Sequence, residues 1–192
     1  MNNYFIKENY THRLDNSFFD DTPYKDEWQK EVYTYARQIA DVHNIKSVLD
    51  IGTGSGYKLM SNFKDFDTLG MDLTPTVKWL KETYNDREWT DSFEPVVDYD
   101  MIIASDVIEH LPDPDVLLDL IQHCRPKIIV FSTPDRDLSD EEDANGPPSN
   151  KSHVREWTMP EFRNYIQSRF NVLEQFMANY YQRTQIILAS LK

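Results

Sequence analysis

Apolar positions along the chain keep two rhythms that alternate. In KDEWQKEVYTYARQIADVHNI, residues 25–45, Trp28, Val32, Tyr35, Ala36, Ile39 and Val42 stand three and four apart, the spacing that predicts an amphipathic helix. KSVLDIG, 46–52, is a compact apolar run and predicts a buried strand, followed by a glycine-rich turn and a short helix near 56–63. FDTLGMD, 66–72, predicts a second strand that closes on an acid. Thr74 and Pro75 then have the order of an N-cap and a first-turn proline, opening a helix to about Tyr84. The alternation continues through a weak strand at REWT, 87–90, and a strong one at YDMIIAS, 99–105. In DPDVLLDLIQHC, 113–124, Asp113 and Pro114 repeat the cap-and-proline start, and PKIIVFSTP, 126–134, predicts a fifth strand. An irregular stretch leads to Trp157, after which Thr158 and Glu161 have capping-box spacing. Two last runs, NVLEQFMA and QRTQIILASL, flank a short polar and aromatic turn and predict a hairpin. Five β/α units followed by a hairpin predict a three-layer α/β fold: a seven-stranded, mostly parallel sheet with helices on both faces and a C-terminal antiparallel hairpin.

Length and charge narrow this picture. The 192 residues fit one domain, 1–192, in which 1–27 forms an N-terminal strap or substrate lid and 134–157 an active-site loop. No apolar run approaches the ~20 residues that span a bilayer, and MNNYFIKENYTHR lacks the features of a signal peptide, so a cytoplasmic protein without membrane contact is expected. A single cysteine, Cys124, leaves no intramolecular disulfide and suits helix-end packing in a reducing compartment. Thirty-three acidic against twenty basic residues give a net charge of −13, which opposes binding to nucleic acid. The densest acidic run, DRDLSDEEDANGPPSN at 135–150, reads as a solvated loop.

In open α/β sheets ligands bind beyond the carboxyl ends of the strands, where strand order reverses. The first such end is LDIGTGSGY, in which Gly52, Gly54 and Gly56 lack the Cβ atoms that would keep a ligand from the backbone. The turn departs from the dinucleotide fingerprint G-x-G-x-x-G by carrying Tyr57 where a third glycine belongs, which weakens the reading as a nucleotide-dependent oxidoreductase of Rossmann type. VLDIGTGSG, the acid closing LGMD, YDMIIASDVIEHL and the late hairpin together resemble class I S-adenosylmethionine-dependent methyltransferases over residues 46–192, with their three-layer Rossmann-like fold. The resemblance implies that Asp50 organises the turn and the cofactor's amino group, that the three glycines lie against its methionine and ribose portions, and that Asp72 binds the ribose hydroxyls. Asp91 is the adenine-side candidate, Ser105 closes the fourth strand on the cofactor side, and Met71 and Leu73 serve equally as adenine contacts or as core.

SDVIEHL, 105–111, brings ionisable groups to the end of the fourth strand. If a helical turn follows Ser105, then Asp106, Glu109 and His110 share one face. Three roles stay open for them: a capped structural rim, a divalent metal site for Mg or Mn, or the source of a general base. The metal role is carried by a resemblance to the E-x-x-E-H motif of ubiquinone-pathway and small-RNA 2′-O-methyltransferases, with Asp in first position here and Asp135 or His153 as further ligand. In GPPSNKSHVREWTMPEF, His153 is the leading candidate for a base beside His110, Arg155 for an anion clamp and Trp157 for stacking on a sugar or aromatic ring; pairing within the loop and core packing are their structural alternatives. The pattern TPDR…GPP…N…HVREWT…EF resembles small-molecule methyltransferases of glycan and surface-polysaccharide pathways, which implies O-methylation of a sugar or glycan hydroxyl. His12, His43 and His123 stand outside any motif. A non-catalytic S-adenosylmethionine-binding partner subunit is the remaining alternative.

Overall fold

A computed structural model describes residues 3–97, 99–140 and 144–192; Glu141, Glu142 and Asp143 of the acidic run lie outside the described residues. The order is α1 (Lys30–Val42), β1 (Ser47–Ile51), α2 (Tyr57–Asn62), β2 (Asp67–Met71), α3 (Thr74–Thr83), β3 (Glu88–Thr90), β4 (Met101–Ser105), α4 (Asp115–Cys124), β5 (Ile128–Pro134), α5 (Met159–Gln167), β6 (Phe170–Asn179) and β7 (Thr184–Leu191). Single 3-10 turns cover Ile108–His110 and Arg136–Leu138.

The seven strands lie in the order β3-β2-β1-β4-β5-β7-β6, parallel from β3 to β5, with β7 antiparallel to both β5 and β6. The chain winds outward from β1 to β3 and then crosses to β4, so strand order reverses between β1 and β4. Register brings Ile51 level with Met71 and Ala104, and Ser105 level with Ser132, so these strand ends form one rim.

Side-chain parity explains why β1, β4 and β5 are buried at every position. Leu49, Ile51, Ile102, Ala104, Ile129 and Phe131 pack toward α4, α5 and the N-terminal Ile6 and Tyr10. Val48, Met101, Ile103, Ile128 and Val130 pack toward α1, α2 and α3. Both faces of the sheet are thus covered, which is why the strands read as continuous apolar runs rather than alternating ones. Asp50, an even step from Val48, points to the α1 face. Gly70 is the closest approach in this layer: a Cβ there would run into the Trp89 indole.

Local signals met the structure with small shifts. Thr158 and Glu161 form the reciprocal capping box, a motif contributing about 1 kcal/mol. Helix α3 instead begins at Thr74, and the acceptor at its start is the Asp72 carboxylate, which takes the Leu73 amide at 2.7 Å. At α4 the Asp113 carboxylate accepts the Asp115 amide. Helix α1 starts at Lys30, which leaves Trp28 outside it, on the rim of the cavity described next.

Candidate active site

A cavity of about 480 Å³ opens at the strand rim beside the β1/β4 reversal, within the size range of small-molecule sites. Its first wall is the turn after β1. Gly52 and Gly54 hold φ of 73° and 55°, a left-handed backbone that side chains strain to adopt. A Cβ on Gly52 would collide with Val107, and one on Gly54 with Asp21, so the bare turn also lets two distant segments close against it. Asp72 accepts the Gly54 amide at 2.8 Å, and burial raises its pKa above the usual carboxylate range. Leu73 and Phe93, both about half exposed, complete this wall.

The second wall is the end of β4. Asp106 takes a left-handed φ of 51°, and a 3-10 turn follows it. Its carboxylate accepts from the Ser132 hydroxyl at 2.5 Å and from the Gln29 amide at 3.2 Å, and burial raises its pKa. Glu109 is fully buried: Oε2 accepts from Thr133 at 3.2 Å, while Oε1 has no hydrogen-bond partner among the described residues. Burial, and then the nearby Asp106, push its carboxyl well above the ordinary range. His110 Nδ1 lies 2.9 Å from the Ser152 carbonyl. A carbonyl only accepts, so Nδ1 carries the hydrogen and Nε2 is left with its lone pair. Burial, then His153, lower the His110 pKa to about 4, which keeps it neutral at physiological pH.

The third wall arrives from the long loop. Val154 donates its amide to the Glu109 carbonyl at 2.8 Å, which draws residues 150–153 over the β4 corner. His153 Nδ1 stands 2.6 Å from Glu156 Oε1, and its Nε2 lies 2.9 Å from the Asn150 side-chain nitrogen. Asn150 Oδ1 is taken by the Ser152 amide, so its NH₂ faces His153 and Nε2 again carries the lone pair. The second Glu156 oxygen accepts from Ser139 and faces Arg183 at 3.5 Å. Burial alone would raise the Glu156 pKa, but the hydrogen bond from His153, with Arg183 and Ser139, outweighs it and holds the carboxylate ionised. The His110 and His153 rings meet edge-on, with centroids 4.8 Å apart.

The N-terminal strap closes the cavity. Thr11, Arg13 and Ser17 donate amides to the carbonyls of Asn145, Val154 and Lys151, and Asn16 reaches the His110 carbonyl. Asn16, Phe18, Phe19, Asp21, Trp28 and Gln29 then line the cavity itself.

Residues 22–186 match a protein family described as a methyltransferase domain. The chain belongs to that family. It is a class I S-adenosylmethionine-dependent methyltransferase. No curated protein matches the sequence. Among solved structures, an S-adenosylmethionine-dependent methyltransferase from Aquifex aeolicus is 14% identical with a TM-score of 0.66, over 92% of this chain and 100% of that one. The methyltransferase domain of bacterial CtHen1-C is 19% identical, TM-score 0.59, over 84% and 97%. An O-methyltransferase of neocarzinostatin biosynthesis, in complex with S-adenosylmethionine and 2-hydroxy-5-methyl naphthoic acid, is 13% identical, TM-score 0.61, over 83% of this chain and 56% of its own. The methyltransferase thus spans little more than half of that protein, and at these identities the likeness is one of fold.

Residues singled out in the methyltransferase sequence divide in the structure. Gly52, Gly54, Asp72, Ser105, Asp106, Glu109, His110 and His153 all line the cavity. Asp50 does not: it is sealed on the α1 face, with both oxygens 3.0 Å from the Tyr33 hydroxyl and Oδ2 2.8 Å from Thr53, and burial pushes its pKa up to about 6. Gly56 packs against Trp89 and Leu80 outside the cavity. Asp91 is exposed and Phe93 lines the wall in its place, because the chain after β3 turns Asp91 to solvent.

The expected single face of Asp106, Glu109 and His110 is not formed, because the left-handed Asp106 breaks the helical path. The cluster with metal-ligating atoms within 4.8 Å of one another is Glu109, His110 and His153. Arg155 is a clamp rather than a cavity residue: its guanidinium donates at 2.7 Å to the Leu111 and Pro112 carbonyls and at 3.1 Å to His12. Trp157 is fully buried, stacked on Tyr165, with its indole N–H on the Tyr4 carbonyl. Sequence reasoning passed over Asn150, Glu156, Arg183, Lys58 and Asp21. Of these, Glu156 alone carried a local signal, three residues beyond His153.

Proposed function

We propose that the enzyme methylates a hydroxyl of a small uncharged acceptor, a sugar or glycan intermediate, with His153 as general base. The observation that carries this reading is the His153–Glu156 pair on the cavity wall. Glu156 fixes the hydrogen on Nδ1 and stabilises the imidazolium that forms when Nε2, on release of the Asn150 amide, takes a proton, the arrangement a weakly acidic alcohol requires. Bound S-adenosylmethionine supplies a methyl group on a positively charged sulfur, and Gly52, Gly54 and Asp72 fit it by offering bare backbone and a buried carboxylate at the strand rim. The chain's own work is then to align the hydroxyl, exclude water beneath Phe18 and Phe19, and remove one proton. Acids Asp21, Asp72, Asp106 and Glu109 outnumber the cations Lys58 and Arg183 along the cavity wall, which disfavours phosphorylated or carboxylated acceptors. The glycan-pathway likeness of the long loop supports a sugar; part of that motif, Arg136, Arg155 and Trp157, folds the loop, whereas Asn150 and His153 face the cavity. A cytoplasmic setting, consistent with the free buried Cys124, belongs to the same proposal.

Incubation with methyl-labelled S-adenosylmethionine and a panel of neutral glycosides, phenols, amines and sugar phosphates tests this. Label in a neutral glycoside, lost in His153→Ala, is the expected result; label confined to amines or anionic acceptors would overturn it.

One observation favours a second reading of the same corner. Glu109 Oε1 is buried without a partner, and His110 Nε2 and His153 lie close by, so Glu109, His110 and His153 would hold a divalent ion such as Mg or Mn, with Asp106 engaged by Ser132 and Gln29 instead. Such an ion supplies Lewis acidity that lowers a hydroxyl pKa. Electron paramagnetic resonance of Mn titrated into chelator-treated protein distinguishes the readings: binding abolished by Glu109→Gln supports the metal, and no binding leaves His153 as base alone.

A further inference from the structure

The amino-acid end of the cofactor carries an ammonium and a carboxylate, and the cavity wall carries adjacent opposite charges in Asp21 and Lys58. We propose that Asp21 and Lys58 bind that end, Asp21 accepting from the ammonium and Lys58 pairing with the carboxylate, so that the N-terminal strap forms part of the cofactor site. The inference rests on the S-adenosylmethionine assignment and not on the acceptor.

Three observations converge. Asp50, the acid expected at the amino group, is buried with its oxygens already bonded to Tyr33 and Thr53, and it does not line the cavity. Asp21 stands where that acid is missing: its Oδ2 occupies the space a Gly54 side chain would fill, and its buried Oδ1 has no hydrogen-bond partner among the described residues. A buried acceptor left unpaired is costly, and an ammonium donor would satisfy it. Lys58, on α2, is almost wholly buried on the cavity wall, 3.7 Å from Asp21 Oδ2 and 3.3 Å from the Lys25 carbonyl. A buried lysine with one carboxylate and one carbonyl retains a third N–H to direct into the cavity. Burial raises the Asp21 pKa to about 6, with Lys58 opposing and Asp72 adding to the rise, the environment of a carboxylate short of positive partners.

The strap around Asp21 is arranged for coupling to a ligand. Phe18, Phe19, Tyr24 and Trp28 are exposed, and the segment is tied to the body by polar bonds: Lys58 to Lys25, Gln29 to Asp106 and Gln182, and Gln182 to Glu27. A zwitterion between Asp21 and the glycine turn would add to this polar anchoring.

Calorimetry on the full chain with S-adenosylhomocysteine and with methylthioadenosine, which lacks the amino-acid end, tests the assignment. Asp21→Asn is expected to weaken S-adenosylhomocysteine roughly ten- to hundred-fold while leaving methylthioadenosine unchanged. Lys58→Gln is expected to do the same, and Asp21→Asn decides alone if that variant fails to fold. Unchanged S-adenosylhomocysteine affinity in Asp21→Asn overturns the proposal, as does an equal loss for both ligands. A selective loss in Asp50→Asn with Asp21→Asn like the parent returns the ammonium to Asp50 and also overturns it. Wild-type protein that binds neither ligand would defeat the cofactor assignment itself, a distinct outcome.

Discussion

The end of the cavity proposed to hold the cofactor and the end proposed to hold the acceptor are built by opposite means. The glycine turn and Asp72 follow directly from β1 and β2, adjacent parallel strands, and the Gly54–Asp72 hydrogen bond joins residues 18 apart in sequence. The acceptor end gathers the β4 corner, the loop after β5, the β6–β7 hairpin through Arg183, and the strap through Asn16. Its bonds reach much farther along the chain, as from Asn16 to His110, 94 residues away. Backbone geometry therefore sets the first half, while side-chain hydrogen bonds between loops set the second. A cofactor site of local origin suits a ligand common to the whole family, and an acceptor site made of loops is free to differ between members.

That contrast can be broken by substitution. His153→Ala is expected to cost about 10²–10⁴ in kcat/KM with S-adenosylhomocysteine affinity unchanged, read by steady-state kinetics and calorimetry. Glu156→Gln should lose less in kcat, since it acts through His153, with S-adenosylhomocysteine affinity again unchanged. Asp72→Asn is the converse experiment: a loss of roughly ten- to hundred-fold in cofactor affinity, the range for a charge-assisted hydrogen bond, with turnover recovered at saturating cofactor.

Arg155 tests whether the acceptor end depends on a scaffold that never touches ligand. Its replacement by Met strands the buried carbonyls of Leu111 and Pro112, which costs about 2–4 kcal/mol, or roughly 5–15 °C in Tm by calorimetry. Cofactor affinity at low temperature should persist.

Acid titration sets the buried carboxyls against His110 by sign. Asp50 and Asp21, at about 6, sit above their unfolded values. Between about pH 4 and 6 the native state therefore holds protons that the unfolded chain releases, and this stabilisation is lost as pH rises through 6. His110, at about 4, acts oppositely, costing stability as pH falls from about 6.5. Over this range Asp50 and Asp21 alone nearly cancel the imidazole, but Glu109, pushed well above the usual carboxylate range, acts with them, so ligand-free protein should melt higher near about pH 5.5 than near about 7.5. Asp50→Asn should shrink that difference. The smallest effect belongs to Asp91→Asn, expected to leave cofactor affinity unchanged, whereas Phe93→Ala weakens it several-fold; calorimetry reads both.

Fold and site were legible to different depths. The runs VLDIG, MIIAS and PKIIVFSTP announced buried strands because a sheet covered on both faces demands apolar residues at each position, and their alternation with helical spacing implied the sheet order's parallel core. The glycine turn and Asp72 were legible because chain connectivity alone places them at a strand end. His153 was legible as chemistry but not as geometry: nothing local told that Arg155 and Trp157, in the same motif, turn inward to clamp carbonyls and fill the core.

By itself, then, the sequence determined the layered α/β fold and the placing of the glycine turn and the acid after β2 at adjacent strand ends, since each follows from local periodicity and strand-end position. Tertiary structure decided the rest. Tyr33 and Thr53 took up the Asp50 carboxylate, which does not line the cavity. A left-handed Asp106 removed it from the Glu109–His110 face. Loop closure brought Asn150, Glu156 and Arg183 to His153, and the strap delivered Asp21 to Lys58. Each of these depends on contacts between segments distant in sequence, whose pairing is set by burial and hydrogen-bond satisfaction across the whole molecule rather than by any local pattern.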